Sequence, residues 1–315
     1  MAALIFLLYF LVALAGVVGL LYFLIHWNWK KEGHNPPPVF MRIRLKGGDH
    51  NEHLAKTRVL YSQMFDAGIP FCFEIHKRPI GEGVFTYFGF DRPVLSRVKL
   101  IFNSLLSENE YEVDNSGVIE DWGVEGMDHY SAFEGGLRRH FLHPMARNDF
   151  FKNSIDFLSA LEPVGEGAIF RFSISPHKVP DKRRISDILD TLDAGSPEAT
   201  SSFGAEFLYT PEVTSDMRDK LNDSLFAIRP QVLLLATHPE RLKNLETQFS
   251  DLITSKNVPS FNNLLSYKRV GSDGAWQDFF TTESIGRPNV ILSSRELSDL
   301  LNFGSRESLN RPKMR

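Results

Sequence analysis

A single cysteine, Cys72, in 315 residues rules out any disulfide within the chain. It lies in the apolar run 69–75, where a small buried hydrophobe is the expected role, and this suits a reducing compartment for the soluble part. No Gly-x4-Gly-Lys-Ser/Thr stretch is present, so the chain lacks the loop whose amides and lysine surround nucleotide phosphates. Gly165-Glu166-Gly167 is the nearest glycine cluster, and it reads as a hairpin turn rather than a nucleotide site. There is no Gly-x-Ser-x-Gly elbow, and the lone thiol sits in a buried-looking strand, which leaves nucleophilic catalysis without a candidate. His129, His140 and His143 lack the period-two spacing or the Cys/Asp neighbours of a metal site. The carboxylates Glu120, Asp121, Glu125 and Asp128 read as a solvated loop, with divalent-cation binding as the lesser alternative. A formal net charge of −4 gives no strong nucleic-acid signal. No catalytic, cofactor-binding or metal-ligating residue is assigned, and the chain reads as a non-enzyme.

What is present begins with residues 2–25, a run without a charge, Asn, Gln or Ser. About 20 apolar residues suffice to cross the hydrocarbon core as a helix. Tyr22, Trp27 and Trp29 gather at one end, where amphipathic rings favour the headgroup level, and Lys30 and Lys31 follow. The reading is a single-pass anchor in the cell membrane (residues 1–29), touching the lipid bilayer through those five side chains, with the soluble part cytoplasmic. A cleaved signal peptide would carry a basic segment before the apolar run, and none is present. Residues 30–38, with three consecutive prolines, form a stiff extended linker.

Beyond the linker, Met41, Ile43 and Leu45 alternate with Arg42 and Arg44 as in a half-buried strand. Asp49 and Glu52 make a capping box for a helix that ends at Gly68. Strands follow at 70–76 and 84–90, then a helix capped by Asp91 with Val98 and Phe102 inside, then a strand from Tyr111. The order repeats over 123–275: a strand from Tyr130, a helix burying Phe151, Ile155 and Leu158, strands at 168–175 and 232–236, a helix with Leu245 and Phe249 inside, and a strand at 264–270. An insertion at 176–227 interrupts this second copy. The predicted fold class is α+β: an N-terminal transmembrane helix, two tandem ferredoxin-like (βαββαβ) units at 39–122 and 123–275, and a short C-terminal helix with a basic tail at 276–315. In that last segment Ser293 and Glu296 cap a helix whose Leu297, Leu300, Leu301 and Phe303 form an apolar stripe too short to stand alone. The stripe either packs on its own domain or docks a partner.

Lys220, Leu225, Phe226, Arg229 and the apolar run 232–236, followed by Pro239-Glu240-Arg241, carry a resemblance. With Phe71-Cys-Phe-Glu-Ile, residues 149–176 and residues 289–303, this order resembles the membrane-proximal region of HerA-like conjugation and type IV secretion ATPases. The resemblance covers most of residues 1–303. Family members continue into a P-loop motor, whereas the sequence given stops soon after Phe303, so no catalytic residue carries over. The resemblance implies a non-enzymatic, membrane-anchored scaffold or assembly component of a DNA or protein transfer machine, with a separate HerA-like ATPase as partner; a homo-oligomer is compatible with it. The alternative is a membrane-tethered nucleic-acid or ligand-binding module.

Overall fold

The computed structural model describes residues 39–43, 50–80, 83–106, 111–113, 129–137, 141–143, 145, 150–179, 182–193, 211–254, 264–270 and 290–302. In chain order the elements are β1 (Val39–Ile43), α1 (His50–Asp66), β2 (Phe71–Lys77), β3 (Phe85–Phe90), α2 (Leu95–Leu105), β4 (Tyr111–Val113), β5 (His129–Leu137), α3 (Phe150–Ala160) and β6 (Glu166–His177). They continue as α4 (Lys182–Asp193), α5 (Pro211–Asn222), β7 (Leu225–Ala236), α6 (Pro239–Thr254), β8 (Leu264–Val270), β9 (Val290–Ser293) and α7 (Ser294–Leu300). Helix α1 stops where expected, because Gly68 takes a positive φ of 64° and its N–H returns to the Phe65 carbonyl at 2.9 Å. Before α2, Asp91 makes no side-chain cap bond, and a short 3₁₀ turn at Arg92–Val94 opens the helix instead.

All nine strands among the described residues belong to one antiparallel sheet with the path β4-β1-β3-β2-β6-β7-β5-β8, and β9 pairs with β7 beside that path. The expectation of two tandem ferredoxin-like units, each closing its own core, is therefore corrected. β2 and β6 pair over seven residues, from Phe71 opposite Ile174 to Lys77 opposite Ala168, so the two predicted units are joined in the middle of one sheet. One hydrophobic core runs through both halves, from Met41 and Phe88 to Phe170, Val232 and Leu297. The physical reason is edge exposure: a long apolar strand left at an edge offers unpaired N–H and C=O groups, and joining two such edges satisfies both rows. The predicted insertion is also shorter, since β6 extends to His177 and β7 starts at Leu225, with α4 and α5 between them. Among the described residues no helix is long and apolar enough to cross a membrane. The predicted anchor and linker at 1–38, with Tyr22, Trp27, Trp29, Lys30 and Lys31, lie outside the described residues.

β7 shows how the last strand is accommodated. One side of it is paired along its whole length by β6. The other side is shared: β5 pairs with residues Gln231 to Ala236, and β9 with Leu225 to Ile228. Pro230 falls at the handover, where neither β5 nor β9 supplies an opposite residue. A proline has no N–H for a ladder and is tolerated at such interruptions.

Core side chains alternate along every central strand, and the rows that face α1, α2, α3, α6 and α7 are rich in phenylalanine. Phe73 and Phe88 meet edge to face at 4.9 Å, Phe88 reaches Phe102 on α2 at 5.6 Å, and Phe170 contacts Phe150 and Phe157 on α3 and Phe249 on α6. Each such ring, fully buried, contributes roughly 1.5–3 kcal/mol. On the opposite face Phe40, Cys72 and Tyr87 form a small buried cluster that leaves no room at Gly89. A Cβ there would stand 2.4 Å from the Cys72 Sγ and 2.8 Å from the Phe40 ring. Gly89→Ala is therefore expected to destabilise the fold by about 1–3 kcal/mol through overpacking, read as a lower denaturant midpoint.

Candidate functional site

The C-terminal helix is built as its sequence predicts at its start. Ser293 accepts from the Glu296 N–H at 3.2 Å, and the Glu296 carboxylate accepts from the Ser293 N–H at 2.9 Å. Seven residues cannot hold a helix in water alone, and α7 docks on α1 and β7. Leu297, Leu300 and Leu301 are 0, 2 and 0 % exposed inside the common core. Tyr61 on α1 donates to the Leu301 carbonyl at 3.0 Å, and Arg58 pairs with Asp299 at 3.1 Å. Of the two roles open to the stripe, the structure places these three leucines in packing. Phe303 lies outside the described residues.

Glu296 does more than cap. Its carboxylate also accepts from the Met145 N–H at 2.9 Å and stands 2.8 Å from the Lys220 ammonium of α5. Lys220 is 4 % exposed and donates to the His143 carbonyl at 3.4 Å. Burial pulls its pKa below the usual lysine value, and the Glu296 charge draws it partly back. Next to it, Asp223 accepts from the Ser294 hydroxyl at 2.8 Å and from the Arg295 N–H at 3.2 Å. Three segments distant in sequence, namely the end of α5, the 141–145 segment and the β9–α7 junction, thus converge on two carboxylates. Glu296 was legible as a cap through the Ser-x-x-Glu spacing. Its partner Lys220 carried no local signal.

Of the residues singled out in the sequence, Lys220, Leu225, Phe226 and Arg229 fall in or beside this region, while 71–75 and 149–176 lie in β2, α3 and β6. Lys220 holds Glu296; Leu225 and Phe226 are buried in β7; Arg229 pairs with Glu134 of β5 at 3.1 Å across the handover to β9. They join elements to one another.

A polar row crosses the other face of the sheet. Taken strand by strand, Glu112, Arg42, Tyr87, Glu74, Arg171, Gln231 and Glu134 stand directly opposite one another from β4 to β5. At its centre Arg171 Nε lies 3.5 Å from Glu74 Oε1, and both side chains are 3–4 % exposed. Burial raises the Glu74 pKa above the ordinary carboxylate value, and the Arg171 charge offsets part of that. Such a row can fix register, because a slip by one residue would bury each charge against the wrong neighbour. The same burial pushes the Cys72 thiol up to about 12. At pH 8 almost none of it is thiolate, so a thiol reagent is expected to modify Cys72 only as fast as the chain unfolds. Rapid labelling of the native protein would contradict this.

Among the described residues no cluster of three or more His, Cys, Asp or Glu is placed to hold a metal ion. His129 opens β5 and His143 is buried near Lys220, while His140 and the 120–128 carboxylates lie outside the described residues. Compared with protein-family models and with curated proteins, the chain gives no match.

Proposed function

We propose that this chain is a membrane-tethered, non-enzymatic scaffold of a conjugation or type IV secretion-like transfer machine, on which a HerA-like motor ATPase docks. The observation that carries the reading is the use made of the resembling residues. Lys220 ties α5 to Glu296 of α7, Phe226 packs β7 against Tyr61 of α1, and Arg229 ties β7 to Glu134 of β5, so all three link one element to another. The Lys220–Glu296 pair is buried, and breaking it on one side would leave an uncompensated charge, so these two side chains hold the local shape. The apolar run 2–25 supplies the tether.

The test uses the full chain in detergent or nanodiscs with a purified HerA-like ATPase from the same genome. Expected are a stable complex and nucleotide turnover that depends on the ATPase. ATP binding or hydrolysis by the chain alone, or no complex at micromolar concentrations, would overturn the reading.

A further inference from the structure

Residues 178–224 leave the sheet and rejoin it at neighbouring points. β6 and β7 are paired from Glu166 opposite Ala236 to His177 opposite Leu225, so the ladder is complete at the two residues where this excursion begins and ends. Two residues suffice to turn a chain between such partners. The pairing of β6 with β7 therefore does not depend on α4 and α5.

The two helices have a core of their own. Leu189 of α4 and Met217 and Leu221 of α5 are buried with Leu142 in a hydrophobic cluster separate from the large one that fills the sheet. Arg218 of α5 also pairs with Asp190 of α4 at 2.8 Å. α4 packs chiefly on α5, and α5 reaches the sheet at β9. Polar ties join the end of α5 to the start of α7. Lys220 stands 2.8 Å from the Glu296 carboxylate, with both side chains well covered, and Asp223 accepts from the Ser294 hydroxyl at 2.8 Å and the Arg295 N–H at 3.2 Å. A helix pair with its own apolar core, joined to the body at one end, is the kind of unit that opens below the free energy of global unfolding.

We propose that α4 and α5 form a latched arm that opens as one unit while the sheet stays folded, the latch being Lys220 and Asp223 on the arm against Glu296 and Ser294 at the start of α7. A buried charge parted from its partner is costly, so the contact is either made or given up whole. Opening takes the Lys220 ammonium away from the carboxylate that caps α7 and uncovers Leu142, against which the arm packs. The state of the arm and the firmness of the C-terminal helix are thereby coupled. This inference does not depend on the scaffold reading.

The experiment is amide hydrogen exchange of the full chain in detergent, read peptide by peptide by mass spectrometry, for the wild type, Lys220→Met and Met217→Ala. In the wild type α4 and α5 are expected to exchange together, at least about tenfold faster than β6 and β7. Lys220→Met, which keeps the apolar stem and removes the ammonium, should speed both helices about tenfold more and leave β6 and β7 within about twofold of wild type. Met217→Ala should do the same from the side of the small core. Helices that exchange no faster than the strands, or at unrelated rates, would overturn the arm. So would either variant speeding β6 and β7 by the same factor as the helices, since that is global unfolding. If Met217→Ala speeds the helices and Lys220→Met does not, the polar contact is no latch and the proposal falls.

Discussion

Glu74→Ala is expected to cost about 3–5 kcal/mol, because it leaves the Arg171 guanidinium buried at the centre of the sheet without its carboxylate. Replacing both partners, as Glu74→Met with Arg171→Met, is expected to be close to neutral or stabilising, since removing two charges removes two desolvation penalties along with one attraction. Denaturant unfolding of the single and double variants measures the difference. A single-variant loss below about 1 kcal/mol would mean the pair behaves as a solvated one. The pair also has a pH signature. Burial lifts the folded-state pKa of Glu74 above its unfolded value, about 4.3. Between those two values the native chain retains a proton that the unfolded chain has released, so stability falls as pH rises through that window. The wild type should therefore gain on the Met/Met double variant as pH is lowered through it, and a gap between the two that is flat with pH would contradict the placement of Glu74.

Leu301→Ala is expected to cost about 2–5 kcal/mol, the range for emptying a fully buried leucine site. For a domain of this size each kcal/mol lowers the melting temperature by roughly 2–4 °C. The effect should be the same in the free chain and in its complex with an ATPase, because Leu301 packs on α1, where Tyr61 holds its carbonyl. A melting temperature unchanged by the substitution would remove α7 from the core and return its stripe to the surface.

Part of this was legible from the residues alone. The Ser293–Glu296 cap, the stop of α1 at Gly68 and the buried faces of α2 and α3 all formed as read. Each depends on partners within a few positions along the chain. Asp91 shows the limit of even that rule, since a cap-compatible residue before a proline can open a 3₁₀ turn without capping anything. Glu74, His76 and Arg171, at alternate positions of β2 and β6, are buried because those two strands pair with each other inside the sheet, a contact between segments nearly a hundred residues apart that no local pattern reveals.

The sequence by itself determined that no disulfide can form within the chain, that its elements are α+β, where α1 stops and where α7 starts, because those properties rest on composition and on contacts a few residues apart. Tertiary structure alone decided that two halves share one sheet through β2 and β6, that β9 inserts beside β7 where β5 leaves off, and that Lys220 meets Glu296. The reason is that period-two alternation is identical in an edge strand and a central one. Which strand edge finds which partner depends on the surface each leaves unpaired once its own helices have packed.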